Sequence, residues 1–127
     1  MKKTTSLDLS ILVVDDDENI RIVLRQSLEK AGYHVSTAKS AEEALNTLQR
    51  SFFNIVITDI MMEEMSGVEL LMQIKEMNSL MQIFVMTSHS TLPHVIQCMQ
   101  GGAYDFFEKP LKIEEILISL GEAARRA

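Results

Sequence analysis

The 127-residue chain predicts an α/β fold, a doubly wound five-stranded parallel sheet covered by five helices. Three observations predict it. Four short apolar runs, at residues 11–14, 55–58, 83–87 and 104–107, are rich in Val, Ile and Phe and too short for helices. Runs that are apolar on both faces suit strands covered on both sides, as in a parallel sheet. The segments between them repeat apolar residues at three- and four-residue spacing, the mark of amphipathic helices. Strand-like and helix-like segments alternate β-α five times, and short connections with right-handed crossovers then favour an open parallel sheet.

Each element has its own signal. Strand 1 (11–14) runs into Asp15, Asp16 and Asp17. In helix 1, Ile20, Val23, Leu24, Leu28 and Ala31 share a face, and Gly32 stands where a C-terminal cap is expected. Strand 2 (33–38) is weaker, alternating in polarity after Gly32. Helix 2 carries Ala41, Ala44, Leu45 and Leu48 behind a capping box from Ser40 to Glu43. Helix 3 carries Val68, Leu71 and Met72 behind a second box, Ser66 to Glu69. Helix 4 has Leu92, Val95, Ile96 and Met99, with Pro93 in its first turn. Helix 5 has Ile113, Ile116, Leu117, Leu120 and Ala124. For five strands the expected order is 2-1-3-4-5, the flavodoxin-like one. No internal repeat or linker divides the chain, so one domain is expected over 10–127, after a loose polar tail over 1–9.

Composition narrows the function. Twelve Lys and Arg stand against 18 Asp and Glu, a net charge of -6. That argues against direct binding of nucleic acid, which needs a basic face, and against an anionic membrane surface. One cysteine, Cys98, excludes an internal disulfide and fits a reducing compartment. No apolar stretch approaches the roughly 20 residues of a membrane-spanning helix, and the only run near the start ends in three aspartates. A cytoplasmic setting is expected.

Ligands of such sheets sit beyond the carboxyl ends of the strands where the order reverses, here between strands 1 and 3. Those ends carry Asp15, Asp16 and Asp17 on one strand and Asp59 on the other. Strand 4 ends in Thr87 and Ser88, and strand 5 in Glu108, Lys109 and Pro110. Converging Asp15, Asp16 and Asp59 would repel and raise one another's pKa unless neutralised. A hard dication does this, and Mg²⁺ takes oxygen ligands and often shares a phosphate. With a lysine and a hydroxyl on the same rim, the set suits phosphoryl chemistry, in which an aspartate can itself be the nucleophile. Asp17 and Glu18 read as cap and helix-dipole charges.

In these blocks the chain resembles the receiver domain of bacterial two-component response regulators. The blocks are residues 11–17 (ILVVDDD), residues 58–62 (TDIMM) with Met65 and Gly67, residues 85–88 (VMTS) and residues 106–110 (FFEKP). The resemblance implies that Asp59 is the phospho-acceptor and that Asp16 binds Mg²⁺ directly, with Asp15 holding it mainly through water. It implies the backbone carbonyl of Met61 as a further ligand and Lys109 as the contact to the phosphoryl group. Thr87 and the backbone N–H of Ser88 would bond that group once it is attached. The donor would be a phosphohistidine on a sensor histidine kinase or phosphotransfer protein. The output would be a shift of the helix 4, strand 5 and helix 5 surface that changes binding to a downstream protein or domain. The Lys109–Pro110 bond is expected to be cis.

Two positions depart from the family pattern. Glu63 stands where Pro is frequent, and Phe106 where Tyr is frequent. Phe106 is either a core residue or a ring that swings inward behind Thr87. By the resemblance Met61 and His89 hold positions that tune the lifetime of the phosphoryl group, and for His89 a merely solvated ring is the preferred reading. His34 and His94 carry no signal. Most of the nine methionines read as core filler, with Met62 and Met65 open as a soft partner surface. Cys98 reads as inert. Dimerisation through helices 4 and 5 is conceivable, although no unusually apolar outer stripe demands it. Three other readings are weaker. A dehalogenase-type phosphatase lacks support in Asn19 and in Asp59 itself. A flavin-binding flavodoxin would not lead strand 1 into carboxylates. A phosphorylation-independent receiver used only for interaction would not need the full acidic set.

Overall fold

The computed structural model describes residues 9–62, 65–88 and 92–126, so Glu63 and His89 lie outside the described residues. Ten elements alternate: β1 (Ser10–Val14), α1 (Glu18–Lys30), β2 (His34–Ala38), α2 (Ala41–Arg50), β3 (Ile55–Asp59), α3 (Gly67–Met77), β4 (Gln82–Thr87), α4 (Leu92–Gln100), β5 (Asp105–Glu108) and α5 (Ile113–Arg126). The strands form one sheet in the order β2-β1-β3-β4-β5. Every neighbouring pair is parallel. The predicted fold class and strand order are those observed. The last strand sits one residue later than the 104–107 expected.

Strand alternation sorts the core into two layers. Leu12, Val14, Val56, Ile83 and Val85 face α2, α3 and α4, where they meet Ala44, Leu70, Leu71, Ile74, Val95 and Cys98. Ile11, Val13, Ile55, Ile57, Phe84 and Met86 face α1 and α5, where they meet Leu24, Leu28, Ile116 and Leu120. The Phe84 and Phe107 rings stack with centroids 5.4 Å apart. Two polar ties seat α5: Ser119 Oγ donates to Asp105 Oδ2 at 2.8 Å, and Gln82 Nε2 to the Ala123 carbonyl at 2.9 Å.

The helix starts follow the predicted caps. Asp17 accepts the Asn19 N–H at 2.8 Å, Ser40 the Glu43 N–H at 3.1 Å and Ser66 the Glu69 N–H at 3.2 Å. In the first box Glu43 Oε1 also takes the Lys39 N–H, at 3.0 Å. Gly32, just past α1, has φ +105°, a left-handed conformation that a side chain would strain.

Several residues predicted on buried faces are exposed. Val23, Met72, Ile96 and Met99 point outward, and α4 buries Val95, as expected, together with Cys98. Of the described methionines only Met81 and Met86 are buried, and Met61, Met72, Met77 and Met99 are exposed. Met62 and Met65 are half-buried against the α2–α4 layer. Filling the core is therefore not the role of most of them. Phe106 is exposed because β5 is an edge strand whose one well-buried residue is Phe107.

Cys98 is fully buried, and burial raises its thiol pKa. Native protein is expected to resist alkylation at neutral pH and to react stoichiometrically once unfolded in urea. Fast labelling of the folded chain would contradict the packing of α4 described here.

Candidate functional site

The ends of β1 and β3 lie side by side, with Val14 opposite Thr58. The chain leaving each strand therefore delivers its carboxylates to one place. Ligand-capable oxygens of Asp15, Asp16 and Asp59 all lie within 4.8 Å of one another. Asp15 and Asp59 are buried, and Asp16 is exposed. Lys109 arrives from the end of β5. Its backbone N–H donates to the Thr87 carbonyl at 2.7 Å, and its peptide bond to Pro110 is cis. Its ammonium lies 3.2 Å from Asp15 Oδ2 and 3.5 Å from Asp59 Oδ2. One cation thus bridges two buried carboxylates.

The electrostatics are those of a crowded acidic site. Burial, and then the charge of Asp15, push the Asp59 pKa up to about 6, against the opposing pull of Lys109 and of the Met61 N–H, which donates to its carboxylate. Burial also raises Asp15, opposed by the Asp17 N–H and Lys109 and assisted by Asp16. For Lys109 burial acts downward, but Asp59 and Asp15 outweigh it and the net shift is upward. A lysine ammonium alone leaves the carboxylates in excess. All the clustered donors are hard oxygens, two of them shielded and one open, which suits a hard dication that keeps water ligands. The residues fit Mg²⁺.

Backbone contacts hold the loop that follows Asp59. Ile60 N–H donates to the Met86 carbonyl at 3.1 Å, and Gly67 N–H to the Ile60 carbonyl at 2.7 Å. A Cβ on Gly67 would stand 2.5 Å from the Asp59 carbonyl oxygen and 2.7 Å from Ile60 Cα. Both are backbone atoms that cannot swing aside, so α3 can start this close to Asp59 only with glycine there. Gly67→Ala is expected to cost about 1–3 kcal/mol and to lower the urea midpoint; an unchanged midpoint would show that the loop yields.

Thr87 is buried, and its hydroxyl donates to the Ser88 carbonyl at 3.0 Å. Met61 is exposed, and its backbone N–H already engages Asp59. One contact had no signal in the motifs: Arg21 on α1 donates Nη1 to the Asp15 carbonyl at 2.7 Å.

A doubly wound 2-1-3-4-5 sheet with an acidic trio and a lysine at its switch point is the arrangement of a receiver-type signalling domain, and the comparisons place the chain in that class. The chain belongs to the response regulator receiver domain family, which it matches over residues 11–120. Receiver domains are the signalling domains of two-component systems. The chain is 38% identical over 118 residues to the C4-dicarboxylate transport transcriptional regulatory protein DctD of Rhizobium meliloti, covering 93% of this chain and 25% of that protein. It is 36% identical over 111 residues to the DNA-binding transcriptional regulator NtrC of Klebsiella pneumoniae, covering 87% of this chain and 24% of that protein. A crystal structure of a response regulator receiver domain protein from Clostridium thermocellum superposes with a TM-score of 0.89 at 32% identity, covering 93% and 95% of the two chains. The chain thus spans about a quarter of the length of these curated relatives. Among the described residues no helix is long and apolar enough to cross a membrane.

Proposed function

We propose that the domain is a phosphoryl-accepting switch in which Asp59 takes a phosphoryl group from a phosphohistidine of a sensor histidine kinase or phosphotransfer protein. The observation that carries this reading is the convergence of Asp15, Asp16 and Asp59 within 4.8 Å, with one lysine ammonium bridging two of them. In the transfer an Asp59 carboxylate oxygen attacks phosphorus, the P–N bond to the histidine breaks, and an acyl phosphate forms while the imidazole leaves. Bound Mg²⁺ would neutralise charge on the phosphoryl oxygens. Asp16 would hold the ion directly, Asp15 largely through water, with Asp59 and the Met61 carbonyl completing the protein ligands. Lys109 would exchange its contact with the Asp59 carboxylate for one with the phosphoryl group.

Thr87 and the Ser88 N–H would then turn to the new oxygens. For Thr87 this means giving up its bond to the Ser88 carbonyl. The Phe106 ring, now 38% exposed, would turn inward behind Thr87. The surface affected spans α4, β5 and α5, and its exposed Ile96, Met99, Phe106 and Ile118 support a partner-binding role. The same face is the proposed seat of phosphorylation-dependent dimerisation. Its apolar side chains were not evident as an outer stripe in the sequence. Met61, and His89 outside the described residues, would tune the lifetime of the acyl phosphate. By analogy with the regulators it resembles, the domain would control a transcriptional output, contacting a protein or domain rather than nucleic acid itself. The proposed boundaries are a tail over 1–9 and the receiver over 10–127, in the cytoplasm.

The test is direct. Incubation with a small phosphodonor and Mg²⁺ is expected to add one acid-stable, alkali-labile phosphoryl group, mapped to Asp59 by mass spectrometry. Asp59→Ala is expected to abolish it. Undiminished labelling at another residue would overturn the assignment, and many cycles of phosphomonoester turnover would favour a phosphatase instead.

A further inference from the structure

We infer that Arg21 is a positioning residue for the divalent-cation site, setting cation affinity through the backbone of Asp15 without touching the ion. The inference rests on the proposed reading of Asp15, Asp16 and Asp59 as the cation site.

Asp16 is the weak point of that site. It is the exposed member of the trio, and among the described residues no hydrogen bond or ion pair holds its side chain. Asp15 by contrast is tied at every pole. Its N–H donates to the Ala38 carbonyl at 3.1 Å, its Oδ1 accepts the Asp17 N–H at 2.8 Å, and its Oδ2 faces Lys109 at 3.2 Å. Whatever places the Asp16 carboxylate must act through the main chain.

The Asp15 carbonyl belongs to the peptide plane that ends at the Asp16 nitrogen and Cα. Fixing that oxygen fixes the direction in which the chain enters Asp16. Arg21 does so at 2.7 Å, with a charged donor in a partly buried setting. The anchor is itself rigid, because the Arg21 N–H bonds the Asp17 carbonyl at 3.2 Å in the first turn of α1. The guanidinium forms no ion pair within 4.0 Å of a described carboxylate, so it does not compete with a cation for ligands. Groups behind the ligands of a metal commonly matter this way, and losing one costs about 10-fold or more in affinity.

The experiment measures Mg²⁺ binding directly by isothermal titration calorimetry on the whole chain, for wild type, Arg21→Met and Arg21→Lys. The methionine keeps an apolar stem and removes the donor. The expected result is about 10-fold weaker Mg²⁺ binding in Arg21→Met, partly restored in Arg21→Lys, whose ammonium can reach the same carbonyl. Half-saturating Mg²⁺ for phosphorylation is expected to rise by the same factor, with labelling regained at saturating cation. Binding within twofold of wild type, or labelling that saturating Mg²⁺ does not regain, would overturn the inference. If Arg21→Met melts at the working temperature, Arg21→Gln, shorter and uncharged, decides: weaker binding supports the role, and wild-type binding ends it. Wild type that binds no Mg²⁺ would refute the cation site itself, an outcome separable from failure of the Arg21 role alone.

Discussion

Lys109→Ala is expected to lower the stability of the metal-free domain at neutral pH by about 2–3 kcal/mol, seen as a melting temperature roughly 10 °C lower. The ammonium lies within 3.5 Å of two carboxylates, one fully buried and the other nearly so. Removing one partner of a buried pair leaves charge without compensation, which costs more than the pair contributes. The lysine is itself about a quarter exposed, so the loss should fall below that of a fully enclosed pair. Two further outcomes separate this cause from lost packing. Mg²⁺ is expected to restore part of the stability, because a dication supplies the missing charge. Lys109→Met, which keeps the stem, is expected to be about as unstable as the alanine variant. Full stability in the methionine variant would show that the stem, not the charge, matters. Phosphorylation of Lys109→Ala should still proceed, but without the change in partner affinity. An unaltered affinity shift would count against the proposed role of Lys109 in the switch.

Asp59→Asn is expected to act in the opposite direction, stabilising the metal-free domain above about pH 6 while abolishing phosphorylation. The Asp59 carboxyl is held well above its ordinary value of 3.8, at about 6, chiefly by burial and by Asp15. A raised carboxyl keeps its proton in the folded chain at a pH where the unfolded chain has lost it. Stability therefore falls as pH rises from about 4 to about 6, and the full cost remains above that window. The size of the shift corresponds to roughly 3 kcal/mol. The value of about 6 already contains the attraction of Lys109, so a gain of up to about 3 kcal/mol is expected at pH 7. Urea melts of both proteins from pH 4 to 8 test this: the two curves should converge at the acid end and separate near neutrality. Parallel curves would show that Asp59 ionises in the fold as easily as in the unfolded chain. Mg²⁺ should narrow the gap, since it favours the ionised wild-type site.

The parts of the fold legible in the sequence are those set by local pattern. The central strands read as unbroken runs of Val and Ile because both their faces are buried, and Ser40, Ser66 and Asp17 marked helix starts by their own chemistry. The strand ends could be paired because a parallel sheet of this order places its carboxyl ends on one edge. Asp15, Asp16, Asp59 and Lys109 followed from that edge.

What escaped depends on tertiary context. Ile96 and Met99 fit a helical spacing, yet α4 turns Val95 and Cys98 inward, and hydropathy does not tell a core face from a face meant for a partner. Phe106 and Phe107 are the same residue type, and only the edge position of β5 decides which one is buried. Arg21 carries no signal in the sequence, because its partner is a backbone carbonyl with no side-chain signature. Gly67 was visible as part of a motif, but the 2.5 Å reason for it is a distance between residues that only the folded loop brings together.

The two layers of core flank the sheet without mixing their side chains. Their histories of substitution can therefore run separately. A bulkier residue at Leu28 or Leu120 can be accommodated by trimming its neighbours on the α1 and α5 side, and a change at Leu71 or Val95 by trimming on the other. The surface proposed to meet an output partner draws on both layers, α4 from one and α5 from the other, so each half of it can be reworked on its own. The strands, whose alternate residues serve both layers, are the part with least freedom to drift.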